Sequence, residues 1–225
     1  TVFDRDWNFD NDLARFGDPW SQPRTPTGRK GIPHPIGPPL IWAPLLAAAD
    51  GAAAVANVFG AGIQRHGYTA FHQRIVFFSS VLAGFFAVWL GARISRRIGL
   101  GPWATTYAAL AVLFGTSLTY YATTMPSYGH ALDALACAAF LALWASTLGR
   151  TDARRFVGLG ALLGIAAMIR IQELGFAVVL VIEALADVIA HRGQQRWRQL
   201  LTWLRLGLIT VVATAVVLAP QLVAW

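Results

Sequence analysis

After Arg74 the chain runs from Ile75 to Ala92 without one charged residue, and Arg93 ends the run. Taken from residue 71, this stretch would make a helix about 33 Å long, enough to cross a hydrocarbon core of about 30 Å. A soluble domain of this size has nowhere to bury such a segment, and others follow it. Trp103 to Tyr121, Ser127 to Ser146 and Leu201 to Trp225 repeat the pattern. Residues 156 to 190 are also apolar but are interrupted by Arg170-Ile-Gln-Glu173 and exceed one crossing, so they predict a helical hairpin of two short spans. The fold class expected is all-α, a polytopic transmembrane bundle of about six spans over residues 71–225. With 56% hydrophobic and 13% charged residues, the composition agrees.

The arginines orient this bundle. Arg93, Arg96 and Arg97 follow the first span, Arg150, Arg154 and Arg155 the third, and Arg192, Arg196, Arg198 and Arg205 surround the exit of the hairpin. The connections on the other side, Ala122 to Pro126 and Ile171 to Gly175, hold no Lys or Arg, although Arg170 borders the second. The positive-inside rule makes the arginine-rich loops cytoplasmic. The expected location is therefore the inner (cytoplasmic) membrane, with residues 1–70 on the outer or periplasmic side. Trp89, Trp103, Trp144 and Trp203 fall at the inner ends, and Tyr120, Tyr121 and Trp225 at the outer ends, as aromatic belts would. The formal charge of +7 is spread over these short clusters and forms no basic face, which argues against a nucleic-acid partner. The single cysteine, Cys137, lies within an apolar run and has no internal partner. The chain opens in a polar loop without an initiator Met and ends in an apolar segment, so it is expected to belong to a longer protein.

The outer region, residues 1–70, is unlike the rest. Its first thirteen residues carry four of the eleven acidic side chains, Asp4, Asp6, Asp10 and Asp12. Clustered carboxylates repel unless a cation, a proton or a basic ligand group lies among them. In an extended segment Asp4 and Asp6 point to the same side. A run of turn formers follows to residue 34, with one short helix expected around Asp10 to Phe16. Pro35, Pro38, Pro39 and Pro44, with Asp50 beyond them, argue against a straight crossing. They predict an interfacial or re-entrant helix from about Pro39 to Ala49, then a second short helix.

On this topology the unusual polar residues gather at one surface. Asp4, Asp6 and His34 lie in the outer loop, Tyr128 and His130 open the third span, and Arg170 and Glu173 form the hairpin tip. Ionisable groups at membrane depth are costly, so their convergence is informative. His130 and Asp133 share a helix face, where Asp133 could orient the imidazole or instead make an interhelical hydrogen bond that joins spans. Arg170 could snorkel to headgroups or clamp a lipid phosphate.

The ordered set Asp-x-Asp, His34-Pro-Ile-Gly, Phe114-Gly-Thr-Ser-Leu-Thr-Tyr-Tyr121, Pro126-Ser-Tyr-Gly-His-Ala131 and Gly158-Leu-Gly-Ala-Leu-Leu-Gly-Ile-Ala-Ala-Met-Ile-Arg-Ile-Gln172 resembles bacterial integral-membrane glycosyltransferases of the GT-C fold. It is most similar to the group like dolichyl-phosphate-mannose protein mannosyltransferases. The resemblance implies transfer of a sugar from a polyprenyl-phosphate donor to a lipid, glycan or protein acceptor at the outer face, among membrane lipids. It implies Asp4 and Asp6 as catalytic carboxylates, one accepting the acceptor's proton while the other orients it or helps hold a divalent metal cation. It implies Arg170 as the group that meets the donor phosphate; His34, Tyr128, His130 and Glu173, gathered at the same surface by the topology, are the expected supporting residues. Many members carry an adjacent Asp-Glu pair where this chain has Asp-x-Asp. Two readings from other classes stand beside this one: a transporter or channel module, for which Glu183 and Asp187 would continue a polar path, and a membrane subunit without catalysis.

Overall fold

The computed structural model describes residues 35–224, without the side chains of the last three, and isolated positions between 10 and 28. Asp4, Asp6 and His34, and most of the short helix expected around Asp10 to Phe16, lie outside the described residues. From residue 35 onward the chain is helical, with eight α-helices: α1 Gly37–Val58, α2 Ala70–Arg97, α3 Pro102–Gly115, α4 Leu118–Thr123, α5 His130–Ser146, α6 Ala153–Ile169, α7 Val178–Ala190 and α8 Gly193–Ala224. Short 3₁₀ turns, Pro126–Tyr128 and Ile171–Ala177, precede α5 and α7. No strand occurs among the described residues. Three helices are long and apolar enough to cross a membrane: α1, α2 and the Gly193–Gln221 part of α8.

The chain divides into two compact units, one taking in residues up to Ser79 and from Pro220 onward, the other Ser80–Ala219. In the first unit α1 corrects the expectation of two short helices, because it runs unbroken through Pro44 and Asp50-Gly51. Pro38 and Pro39 occupy its first turn, where the backbone N–H has no intrahelical partner to lose, so only Pro44 removes a helical bond. Asp50 is tolerated because Arg65 reaches back from the following loop in a two-pronged pair, Nε to Oδ1 at 2.9 Å and Nη2 to Oδ2 at 2.6 Å. Asn57 closes the turn after α1 by exchanging two hydrogen bonds with the backbone of Ile63, at 2.7 and 2.8 Å. At the start of α1 the Ile36 N–H donates to Gln221 Oε1 at 2.8 Å.

In the second unit the core lies among α5, α6, α7 and α8, where Phe140, Phe156, Leu159, Leu163, Leu180, Trp203 and Leu206 form one buried cluster. Small residues let α6 and α8 approach closely. A Cβ on Gly160 would lie 2.5 Å from the Thr210 carbonyl oxygen, and one on Gly164 would lie 2.8 Å from Val217 Cβ. Thr214 uses that proximity, its hydroxyl donating to the Gly160 carbonyl at 3.0 Å. Gly160 and Gly164 thus have the small-xxx-small spacing that lets two helix backbones approach closely.

The expected span from Trp103 to Tyr121 is interrupted. Thr116 takes an extended conformation (φ −121°, ψ 173°) and separates α3 from α4. Its hydroxyl donates to the Val112 carbonyl at 2.6 Å, and the Thr119 hydroxyl donates to the Leu113 carbonyl, so side chains satisfy the carbonyls freed by the break. Over 156–190 the chain forms two helices, α6 and α7, parted at Arg170 as expected, but neither is among the three helices long and apolar enough to cross a membrane.

Candidate functional site

Arg170 caps the C-terminal end of α6. Its backbone is extended (φ −150°, ψ 116°), its N–H still bonds the Ala166 carbonyl at 2.8 Å, and its own carbonyl accepts from Glu173 at 3.0 Å. The chain thus turns sharply and brings Glu173 back beside the end of the helix. Gly129 performs the matching turn ahead of α5. It takes φ +73°, in the left-handed region, and its carbonyl receives the Asp133 N–H at 2.9 Å. A residue with a Cβ would strain there, so Gly129 fixes the direction in which His130 enters the helix.

These two turns bring together His130, Asp133, Arg170 and Glu173, residues up to 43 positions apart in the sequence. Arg170 Nη1 lies 3.2 Å from His130 Nδ1 and 3.8 Å from Asp133 Oδ2. A guanidinium can only donate, so Nδ1 accepts and the imidazole proton sits on Nε2. Asp133 thus faces Arg170 at 3.8 Å, an ion-pair contact between α5 and the turn that ends α6. The His130 ring lies against Tyr121, with centroids 3.9 Å apart, and parallel to Tyr128 at 6.4 Å. Tyr128 and the Arg170 side chain are both about half exposed.

Cys137, one helical turn beyond Asp133, donates to Glu173 Oε2 at 3.3 Å. Asp133, Cys137 and Glu173 are the one trio of described side chains spaced for a metal ion, with ligand atoms within 4.8 Å of one another. The chemistry of the donor set does not favour an ion. The thiol is acting as a hydrogen-bond donor, and Arg170 already supplies positive charge beside Asp133. Asp4 and Asp6, the pair from which a divalent cation was expected, lie outside the described residues. Of the expected site residues, Tyr128, His130, Arg170 and Glu173 are thus brought together. Tyr121 and Cys137 join them. The 133/137 spacing, one turn apart on a helix, was the only sequence signal for Cys137. Tyr121 had been placed only in the outer aromatic belt and at the end of the Phe114–Tyr121 motif, and neither marked it as a partner of His130.

The other end of α6 carries a second network that the sequence did not reveal. Arg155, expected as one of the loop arginines, is buried with only 1% of its side chain exposed. Its Nη2 donates to Glu183 Oε2 at 2.6 Å, Nη1 to the Arg150 carbonyl at 2.7 Å and Nε to Thr147 Oγ1 at 2.9 Å. Glu183 also accepts from Trp144 Nε1 at 2.9 Å and from the Gly149 N–H at 3.0 Å. Trp203 is buried and donates to Asp187 Oδ2 at 2.8 Å. Trp144 and Trp203, expected in the inner aromatic belt, thus direct their indole N–H groups to carboxylates of α7. Asp152 caps α6: its Oδ1 accepts the Arg155 N–H at 3.1 Å, which with Arg150 nearby holds its carboxyl below the usual range. Comparison of the chain with family models, curated proteins and solved structures gave no significant match.

Proposed function

We propose that the chain is the membrane part of a glycosyltransferase that moves a sugar from a polyprenyl-phosphate donor to an acceptor at the outer face. The observation that carries this reading is the state of Arg170. It is held at a helix end by His130 and Asp133 through Nη1 alone, while Nε and Nη2 have no partner among the described residues. A half-exposed guanidinium with donors to spare, beside tyrosines and a histidine whose Nε2–H is free of that contact, suits a phosphate leaving group whose charge must be stabilised. In this reading Asp4 or Asp6 takes the acceptor's proton, and Tyr121 and Tyr128 provide an aromatic wall for the donor.

The membrane placement assumed is the six-span bundle with arginine-rich loops inside. Two contacts support an interfacial course for α1 despite its length. Ile36 is tied to Gln221, at the end of α8 remote from Arg196 to Arg205, and Asp50 Oδ1 lies 4.0 Å from His72 Nε2, at the end of α2 remote from Arg93 to Arg97. These points are about 21 Å apart along α1, yet the first is bonded to, and the second lies close to, an end that the arginine pattern assigns to the outer surface. A helix crossing the bilayer would put them at different depths. A polar path to the cytoplasm, as in a transporter, is weakened because Glu183 and Asp187 are occupied by Arg155, Trp144 and Trp203.

The test is transfer of radiolabelled sugar from a polyprenyl-phosphate donor by the full-length protein and by Asp4→Asn and Asp6→Asn variants. Loss of transfer with normal membrane insertion is the expected result. Wild-type transfer by both variants would end the catalytic assignment of these carboxylates.

A further inference from the structure

We infer that the arginine-rich end of α8 carries a binding site for an anionic phospholipid. A cleft of about 160 Å³ opens there, lined by Thr151 and Ala153 at the start of α6 and by Thr202, Arg205, Leu206 and Ile209 of α8. Its polarity is graded along α8. Arg205 sits at the shallow end, and Ile209 lies about 6 Å further along the helix, toward the uncharged stretch that would enter the bilayer. Leu206 is buried and forms part of the helix core, so the floor of the cleft is fixed by packing that the whole unit shares.

The local charge favours an anion. Arg205 has no carboxylate partner within ion-pair distance among the described residues, and neither has Arg154, next in sequence to Ala153 of the lining. The carboxylates nearest in sequence to Arg205, Asp187 and Glu183, are engaged by Trp203 and Arg155, and Asp152, between Thr151 and Ala153 of the lining, is matched by Arg150 at 3.1 Å and by the Arg155 N–H. The Thr202 hydroxyl donates to the Arg198 carbonyl at 3.0 Å, which leaves Arg205 and the Thr151 hydroxyl as the side-chain donors available to a ligand. A phosphodiester at the mouth with an acyl chain over Leu206 and Ile209 satisfies both ends. A soluble phosphate would leave the apolar end unused. The ligand is therefore a phospholipid of the arginine-rich leaflet, where anionic headgroups attract basic side chains. This site rests on the membrane reading of the chain and is independent of the transferase reading, since it lies at the end of α6 opposite Arg170.

The purified protein in neutral detergent, titrated with phosphatidylglycerol, phosphatidylcholine or glycerol 3-phosphate, tests this by native mass spectrometry. Phosphatidylglycerol is expected to bind in preference to phosphatidylcholine, and glycerol 3-phosphate not to compete. Arg205→Gln should weaken phosphatidylglycerol binding about fivefold, the effect of one basic group at an anionic surface, and Arg205→Lys should restore most of it. Unchanged helical circular dichroism in both variants shows that the loss is local. Equal phosphatidylglycerol binding by Arg205→Gln overturns the site, and displacement by glycerol 3-phosphate overturns the assignment to a lipid. A chain recovered without detergent from washed membranes would instead remove the membrane premise.

Discussion

Helix α6 carries an arginine at each end, and the two are used in opposite ways. Arg155 is buried, every nitrogen of its guanidinium is hydrogen-bonded, and its carboxylate partner is 2.6 Å away and itself saturated. Arg170 is half exposed, engages through one nitrogen, and faces its nearest carboxylate at 3.8 Å. Saturation marks Arg155 as a structural clamp, because a ligand could reach it only by breaking an existing bond. Incomplete satisfaction marks Arg170 as a group with capacity for something else. The residue type is the same for both, so it is the count of engaged donors that separates a guanidinium committed to packing from one with donors to spare.

The sharpest way to break this contrast is to remove one member of the buried pair. Glu183→Ala leaves Arg155 charged, desolvated and without its carboxylate, and is expected to cost about 3–5 kcal/mol of stability. Thermal unfolding in detergent would measure it, and an unchanged midpoint would mean that the clamp contributes nothing. Gly160→Val attacks the helix that carries both arginines. The new Cβ meets the Thr210 backbone, which cannot move aside as a side chain would, so about 1–3 kcal/mol of destabilisation is expected. If that variant unfolds at the wild-type temperature, the close approach of α6 and α8 is wrong. The smallest effect concerns Asp152, which sharpens the description of the saturated end. Its folded carboxyl is held below the unfolded value, so its contribution is present above about pH 4 and is lost as the pH falls through the folded value. Asp152→Asn keeps the capping oxygen and should flatten the acid limb of a plot of unfolding temperature against pH. An acid limb as steep as that of the wild type would assign it to other carboxylates.

How much of this was legible in the sequence differed by level. Long uncharged stretches announced the helices, because their length and apolarity leave few alternatives, and the hairpin break at Arg170 followed from the same logic. The course of α1 was misjudged at Asp50-Gly51, where a break was expected, because the Arg65 pair that accommodates Asp50 comes from the following loop and is not readable from the helix itself. The break at Thr116 escaped notice because threonine hydroxyls can repair a helix from either state. At the site, Arg170, His130, Tyr128 and Glu173 were selected because the arginine asymmetry assigned them to one end of the expected spans, and the turns at Gly129 and Arg170 do bring them together. The Arg155 clamp was not readable. An arginine after an apolar span looks the same whether it faces water or turns inward to Glu183, and only tertiary packing decides between them.

The central claim is that Arg170 offers a planar, partly free fork to a phosphate, and Arg170→Lys tests it most directly. Lysine keeps the charge and the reach but cannot reproduce two parallel N–H bonds. Its effect on stability should be small, about 0–1 kcal/mol, because the ion pair it replaces is long and exposed. Donor-dependent kinetics of the full-length variant should therefore show a strong loss in the use of a polyprenyl-phosphate sugar, with an unfolding temperature close to that of the wild type. Unchanged donor KM and turnover in Arg170→Lys would contradict the account and make Arg170 an interfacial anchor.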